Sequence, residues 1–187
     1  MYDRSDAGTL TAGNSTPLTD GASCVLLASE AWASARGLPI QAFLTHSAVA
    51  AVDYVGMAGP REGLLMAPTY AVPVMLDRAG ITLQDFDIYE IHEAFAAQVL
   101  CTLKAWESAE YCREKLRRAA PLGTIDRERM NLKGGSVALG HPFAATGTRI
   151  VGHARQTATA ARIRARIDLD LHRRWPGRHG DPGTLNH

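Results

Sequence analysis

Asn131, Leu132, Lys133, Gly134, Gly135, Ser136, Val137, Ala138, Leu139, Gly140, His141, Pro142, Phe143, Ala144, Ala145, Thr146 and Gly147 form the stretch whose reading decides the fold. Gly134 and Gly135 permit close backbone approach by another segment or a ligand, and Gly140 permits a sharp turn immediately before a histidine. Pro142 and Phe143 open a predicted helix over 143–156, whose unpaired amides and positive dipole end face that turn. A histidine placed there is disfavoured as a cation, so the His141 imidazole stays available as a base or hydrogen-bond donor. Carboxyl, phosphate or thioester oxygen is welcome nearby. The residues alone leave a second reading equally open, in which His141 only caps the turn.

Upstream, Tyr89, Glu90, Ile91, His92, Glu93, Ala94, Phe95, Ala96 and Ala97 stand at the carboxyl end of a predicted strand over 86–91. In open α/β sheets such strand ends point into the ligand crevice. His92 and Glu93 are adjacent, so on a regular strand their side chains leave opposite faces, and only a bend admits both to one site. His92 also reads as a plain strand-end residue, and Glu93 as a carboxylate complementing the start of the next helix. The residue four beyond His92 is Ala96, so the zinc-protease pattern HExxH is not met. Further upstream, Leu10, Thr11, Ala12, Gly13, Asn14, Ser15, Thr16, Pro17, Leu18, Thr19, Asp20, Gly21 and Ala22 combine a small-residue loop with a helix start. Its hydroxyls and amides suit a polar ligand as well as they suit a plain turn.

Between these segments, helical and strand patterns alternate with clear punctuation, which favours an α/β architecture. Thr19 or Asp20 caps a predicted helix carrying Val25, Leu26, Ala28 and Ala33 that stops at Gly37, and residues 40–51 read as a buried strand. Pro68 suits the first turn of a helix with Val72, Met75, Leu76 and Ala79 on one face and Gly80 at its end. Thr82 with Asp85 resembles a capping box, and Phe95, Val99, Leu103 and Trp106 recur at helical spacing. A second helix is expected over 114–119.

The 187 residues, 46% of them hydrophobic, are enough for a sizeable core. A formal charge of +1 gives no whole-chain field for nucleic acid or an anionic membrane. No apolar run approaches the roughly 18 residues of a spanning helix, and the start of the sequence lacks a basic-then-apolar signal pattern. The expectation is a cytoplasmic protein with no transmembrane segment and no nucleic-acid partner. Three scattered cysteines, Cys24, Cys101 and Cys112, make neither a disulfide framework nor a CxxC metal site, and all three are expected as small helical core residues. Beyond about residue 157 the apolar rhythm gives way to Arg162, Arg164, Arg166, Arg173 and Arg174 interrupted by Asp168 and Asp170. That composition predicts a short helix over 158–171 followed by disorder rather than a nucleic-acid arm.

Together, in this order, the three segments resemble the carboxyl half of a thiolase over residues 9–156. Residues 11–22 are similar to the family's TAGNxSxxxDGA segment, 92–97 to its [NH]EAFAA motif and 134–147 to its GGxxxxGHPxxxTG motif. Histidine at the head of HEAFAA, with GHPFAATG, resembles the β-subunit branch of the fatty-acid β-oxidation multienzyme complex. The resemblance implies a thiolase-like layered α/β fold, with residues 1–38 ending an amino-terminal domain, 39–156 forming a carboxyl-terminal domain without its last strands, and 157–187 a divergent tail. It implies cleavage of 3-ketoacyl-CoA by CoA, with coenzyme A as substrate and no cofactor or metal. It also implies a homo-oligomer, or a complex with a hydratase/dehydrogenase subunit.

By the same resemblance His141 activates a cysteine thiolate and helps form an oxyanion hole, which His92 completes, directly or through water. Ser15, Thr16, Gly140 and Phe143 then lie at the substrate. Thr16 stands where many thiolases carry serine, one methyl larger. None of the three cysteines occupies the family's nucleophile motif, and no CxxGGxG segment is present. The expectation is a chain inactive alone, whose tail arises from a reading-frame shift. One half of a split enzyme and a non-catalytic CoA-binding or subunit-interaction fragment are the alternatives.

Overall fold

The computed structural model describes residues 5–57 and 62–161. The expected arginine-rich tail therefore falls almost wholly outside the described residues. Six α-helices appear among them: α1 (Glu30–Ser34), α2 (Pro68–Ala79), α3 (Ala96–Glu107), α4 (Ala109–Glu114), α5 (Ser136–Leu139) and α6 (Thr146–Ala161).

The core forms where the local signals agree. Pro68 occupies the first turn of α2 and Gly80 ends it in the left-handed conformation at φ 63°, as the sequence predicts. Thr82 and Asp85 form their capping box, the Thr82 amide donating to Asp85 Oδ2 at 2.7 Å. Val72, Met75 and Leu76 of α2 then pack with Val99, Leu103 and Trp106 of α3, joined by Leu83, Phe86 and Ile125. Helix α4 ends at Glu114 instead of continuing over 114–119. Arg117 turns left-handed at φ 57°, and the Arg118 amide donates back to the Cys112 carbonyl at 2.8 Å. The Arg118 guanidinium grips both oxygens of Asp77 at 2.8 and 2.7 Å, tying this reversal to α2.

Strand formation is sparse. Around the expected 86–91 strand there is an isolated parallel bridge between Tyr89 and Met130. The Tyr89 amide donates to the Arg129 carbonyl at 2.9 Å and the Asn131 amide to the Tyr89 carbonyl at 2.8 Å. The next rung is made by a side chain. Asn131 Oδ1 accepts from the Ile91 amide at 2.8 Å, while its Nδ2 donates to the Ile91 carbonyl at 2.9 Å. One carboxamide thus satisfies the donor and acceptor that a neighbouring strand residue would satisfy.

The helix expected from Thr19 or Asp20 to Gly37 contracts to the five residues of α1, capped by Ser29, whose Oγ accepts from the Trp32 amide. The helix ends at Ser34 with Ala35 as its C-cap, and Gly37, at φ 62°, closes the turn that follows. Val25, Leu26 and Leu27 lie contiguous rather than at helical spacing and are exposed, Leu26 at 72%, so no apolar surface draws them into a helix. The expected strand over 40–51 likewise forms no ladder among the described residues, and Ile40, Phe43, Leu44 and Val49 remain exposed. Phe43 and Ala48 are single bridge positions that do not extend into a strand. Cys112 is buried as expected, but Cys101 faces outward on α3, and Cys24 is exposed and outside any helix.

Candidate active site

Three loops meet beside the α3 core, and hydrogen bonds between distant residues hold them together. The Thr16 amide donates to the Ala94 carbonyl at 3.0 Å, and Ser15 forms an antiparallel bridge with Phe95. Thr16 Oγ1 donates to the Ser136 carbonyl at 2.7 Å, and the His141 amide to the Pro17 carbonyl at 2.9 Å. Farther along, the Ser23 hydroxyl donates to the Ala145 carbonyl at 2.5 Å and is hydrogen-bonded to Thr148.

Two close approaches explain the glycines. A Cβ on Gly135 would lie 2.0 Å from Glu93 Oε2, and one on Gly140 would lie 2.5 Å from the Thr19 side chain. Gly140 also adopts φ 86°, a conformation that side-chain-bearing residues rarely take. The helix after His141 starts later than expected, at Thr146 rather than Phe143, because Ala144 turns left-handed at φ 67°. The intervening residues form a turn, and His141 sits one turn ahead of α6.

This framework brings His92 and His141 together, with ring centroids 4.3 Å apart and planes inclined at 48°. Each Nδ1 meets a hydroxyl: His92 the Ser136 Oγ at 2.8 Å, His141 the Thr146 Oγ1 at 2.7 Å. Phe143, 71% exposed, packs T-shaped with the His141 ring, their centroids 4.7 Å apart. Thr16 reaches the same place through the Ser136 carbonyl. Ser15 is buried and its hydroxyl donates within its own loop, to the Thr11 carbonyl at 2.7 Å. Glu93 turns away from the histidine pair. It accepts from Asn131 Nδ2 at 2.6 Å and from the Val137 amide at 3.2 Å, anchoring the glycine-rich loop at the start of α5.

Sequence reasoning missed Ser136, Arg149 and Glu90. Arg149 Nη2 donates to Ser136 Oγ at 2.6 Å and Nη1 to the Gly140 carbonyl at 3.4 Å. Its Nε is buried without a hydrogen-bond partner among the described residues. Burial pushes the guanidinium down from its ordinary pKa, while Glu90 and Glu93 oppose that change. Glu90 is pushed up to about 7, chiefly by desolvation, with the Arg149 charge pulling the other way and Glu93 adding to the rise. Burial, then Arg149 and Lys133, push His153 down.

The signals for two of these were present. Phe86, Ile88 and Glu90 share a face at period two, so the buried face of that segment ends on a carboxylate. Arg149 lies four residues beyond buried Ala145 and three beyond buried Thr146, which puts a charge on the inward face of α6. Among the described residues, no group of three or more His, Cys, Asp or Glu is placed to hold a metal ion. Nor is any described helix long and apolar enough to cross a membrane.

Comparison with known proteins matches residues 45–165 to the family model described as thiolase, C-terminal domain. The 3-ketoacyl-CoA thiolase of Yersinia pestis (strain Pestoides F) is 49% identical over 144 residues, covering 77% of this chain and 32% of the relative. The homologue from Yersinia pseudotuberculosis serotype O:1b is equally similar. The chain spans about a third of the length of these curated relatives. Among solved structures, the acetyl-CoA acetyltransferase of Bacillus anthracis superposes with a TM-score of 0.62 at 32% identity, covering 83% of this chain and 34% of that one. The acetyl-CoA acetyltransferase of Syntrophomonas wolfei gives 0.58 at 22% identity over 85% of this chain and 35% of its own, a likeness of fold. Motifs, fold and family match agree: the chain belongs to the thiolase family of acyltransferases, with a thiolase-like α/β fold corresponding to the family's carboxyl half.

Proposed function

We propose that this chain supplies the histidine pair of a site that cleaves 3-ketoacyl-CoA with CoA, giving acetyl-CoA and a shortened acyl-CoA, as in fatty-acid β-oxidation. The observation that carries the reading is the 4.3 Å approach of the His92 and His141 rings, each with its own hydroxyl partner. In this reading His141 takes the proton of a cysteine thiol supplied from outside the chain. The thiolate attacks the 3-keto carbon, and His92 donates a hydrogen bond to the oxygen on which negative charge develops. The carbon–carbon bond then breaks, the departing carbanion takes the proton that His141 holds and leaves as acetyl-CoA, and the acyl group stays on sulfur as a thioester. CoA gives its thiol proton to His141, its thiolate attacks that thioester and releases acyl-CoA, and the departing cysteine thiolate takes the proton back. Thr16, Gly140 and Phe143 line the approach to the pair. Ser15 shapes the loop that presents Thr16. Coenzyme A serves as substrate, and no cofactor or metal is required.

The chain alone is proposed to be inactive. The Cys112 thiol is 0% exposed and directed at the carbonyls of Ala105 and Trp106, and Cys24 and Cys101 stand outside the family's nucleophile motif. The exposed apolar residues between Leu18 and Met57 offer a surface that further thiolase sequence would cover, in a split enzyme or in a subunit-interaction fragment alike. Homo-oligomers, or a complex with a hydratase/dehydrogenase subunit, belong to the same proposal, as does a cytoplasmic setting, which suits three free thiols.

The test is a thiolysis assay on acetoacetyl-CoA and a long-chain 3-ketoacyl-CoA. The purified chain is expected to show no turnover, and a chain carrying the nucleophilic cysteine to restore it, with His141→Ala abolishing the restored activity. Turnover by the chain alone, lost in His141→Ala, overturns the inactivity. Restored turnover that survives His141→Ala overturns the role of the pair.

A further inference from the structure

The hydroxyl of Ser136 is the hinge of a three-residue relay. Ser136 is 1% exposed, so water does not satisfy its hydrogen. Its oxygen receives Arg149 Nη2 at 2.6 Å and stands 2.8 Å from His92 Nδ1. A guanidinium can only donate. The serine oxygen therefore accepts from Arg149, and its own hydrogen is left for Nδ1 of His92. An imidazole that accepts at Nδ1 and is neutral must carry its proton on Nε2. His141 meets the opposite arrangement. With its hydrogen on the Pro142 carbonyl, 3.3 Å away, the Thr146 hydroxyl would accept from His141 Nδ1 at 2.7 Å, and the lone pair would sit on Nε2.

We propose that Arg149, acting through Ser136, is a positioning residue that fixes His92 as the Nε2–H tautomer, while Thr146 fixes the neighbouring His141 as the Nδ1–H tautomer. Two imidazoles side by side thereby carry different groups at equivalent nitrogens: a hydrogen-bond donor on His92 and a proton acceptor on His141. The functional meaning rests on the thiolase reading above, in which one ring stabilises an oxyanion and the other takes a thiol proton. The tautomers themselves do not.

The test reads the tautomers without turnover. Long-range proton–nitrogen correlation spectra of the histidine-labelled 187-residue chain, recorded well above the imidazole pKa, distinguish protonated from unprotonated ring nitrogens at each site. His92 is expected with Nδ1 wholly unprotonated and His141 with Nε2 wholly unprotonated. Ser136→Ala is expected to shift the His92 nitrogens toward the averaged positions of free imidazole and leave His141 in place. Arg149→Met should produce the same loss, and Arg149→Lys, which keeps a donor-only group, should restore the single His92 form.

A His92 proton on Nδ1 in the unaltered chain overturns the proposal. So does a Ser136→Ala chain with an unchanged His92 spectrum. Where Arg149→Met disturbs the fold, the unaltered chain and Ser136→Ala still decide the matter. Failure of thiolysis with these spectra intact would instead count against the function proposed above.

Discussion

Glu90 lies where the buried face of residues 86–90 meets the Arg149 guanidinium, and replacing its carboxylate by an amide tests the electrostatics of the site. Desolvation pushes its pKa from the ordinary 4.5 up to about 7, although Arg149 pulls it down, so burial outweighs the nearby cation. A tenfold change in an acid dissociation constant is worth about 1.4 kcal/mol, so the rise from 4.5 to about 7 sets a ceiling of about 3 kcal/mol. Solvent reaching the partly exposed side chain trims that to about 2 kcal/mol. Because the folded state holds this proton more tightly than the unfolded state, folding stability falls as the proton leaves. The contribution is fully present below the unfolded pKa of 4.5, declines as the pH rises, and is lost above about 7. Glu90→Gln is neutral throughout and removes the decline. Urea unfolding of both proteins from about pH 5 to about pH 8 should show the variant gaining about 2 kcal/mol on the unaltered chain across that window. A gap that stays flat refutes the desolvation argument. A gap of opposite sign would mean that attraction to Arg149 dominates.

Gly135→Ala is expected to destabilise the chain by about 2–4 kcal/mol in urea unfolding, since its Cβ would displace the Glu93 carboxylate from Asn131 and Val137. Combined with Glu93→Ala, the cost should fall well short of the sum of the two single changes. Asn131→Ala should open the Ile91 amide to hydrogen exchange at a cost of about 2 kcal/mol, because both backbone groups of Ile91 lose their partner. Thiol labelling of the folded chain should modify Cys24 and Cys101 rapidly and reach Cys112 only on unfolding.

Helices α2 and α3 were legible because their signals are local and mutually consistent. Pro68 and Gly80 mark the ends of α2, and Val99, Leu103 and Trp106 give the period of α3. The segments around residues 20–29 and 40–51 were misread for a different reason. An apolar run such as Val25, Leu26 and Leu27 carries no period that distinguishes helix from strand, and its conformation depends on what it packs against. Here those side chains are exposed, and neither element forms in full. The turn over 143–145 was missed because Ala144 gives no compositional sign of a left-handed backbone.

The histidine pair obeys another logic, which explains why a well-formed cluster coexists with sparse strands. His92 and His141 were visible as individual residues, but their 4.3 Å separation is set by contacts that cross much of the chain. Thr16 reaches Ser136 over 120 positions, and Ser23 reaches Ala145 over 122. Each such contact uses a backbone group or a short hydroxyl, amide or carboxylate, whose ordering costs little conformational entropy compared with a long flexible chain. Arg149 is the exception. Its long side chain is ordered on the inward face of α6, and burial disfavours its charge. A purely structural role at that position would be met by an apolar residue at lower desolvation cost. What the guanidinium adds is a donor that cannot accept, and that asymmetry sets the direction of the Ser136 hydrogen bond to His92.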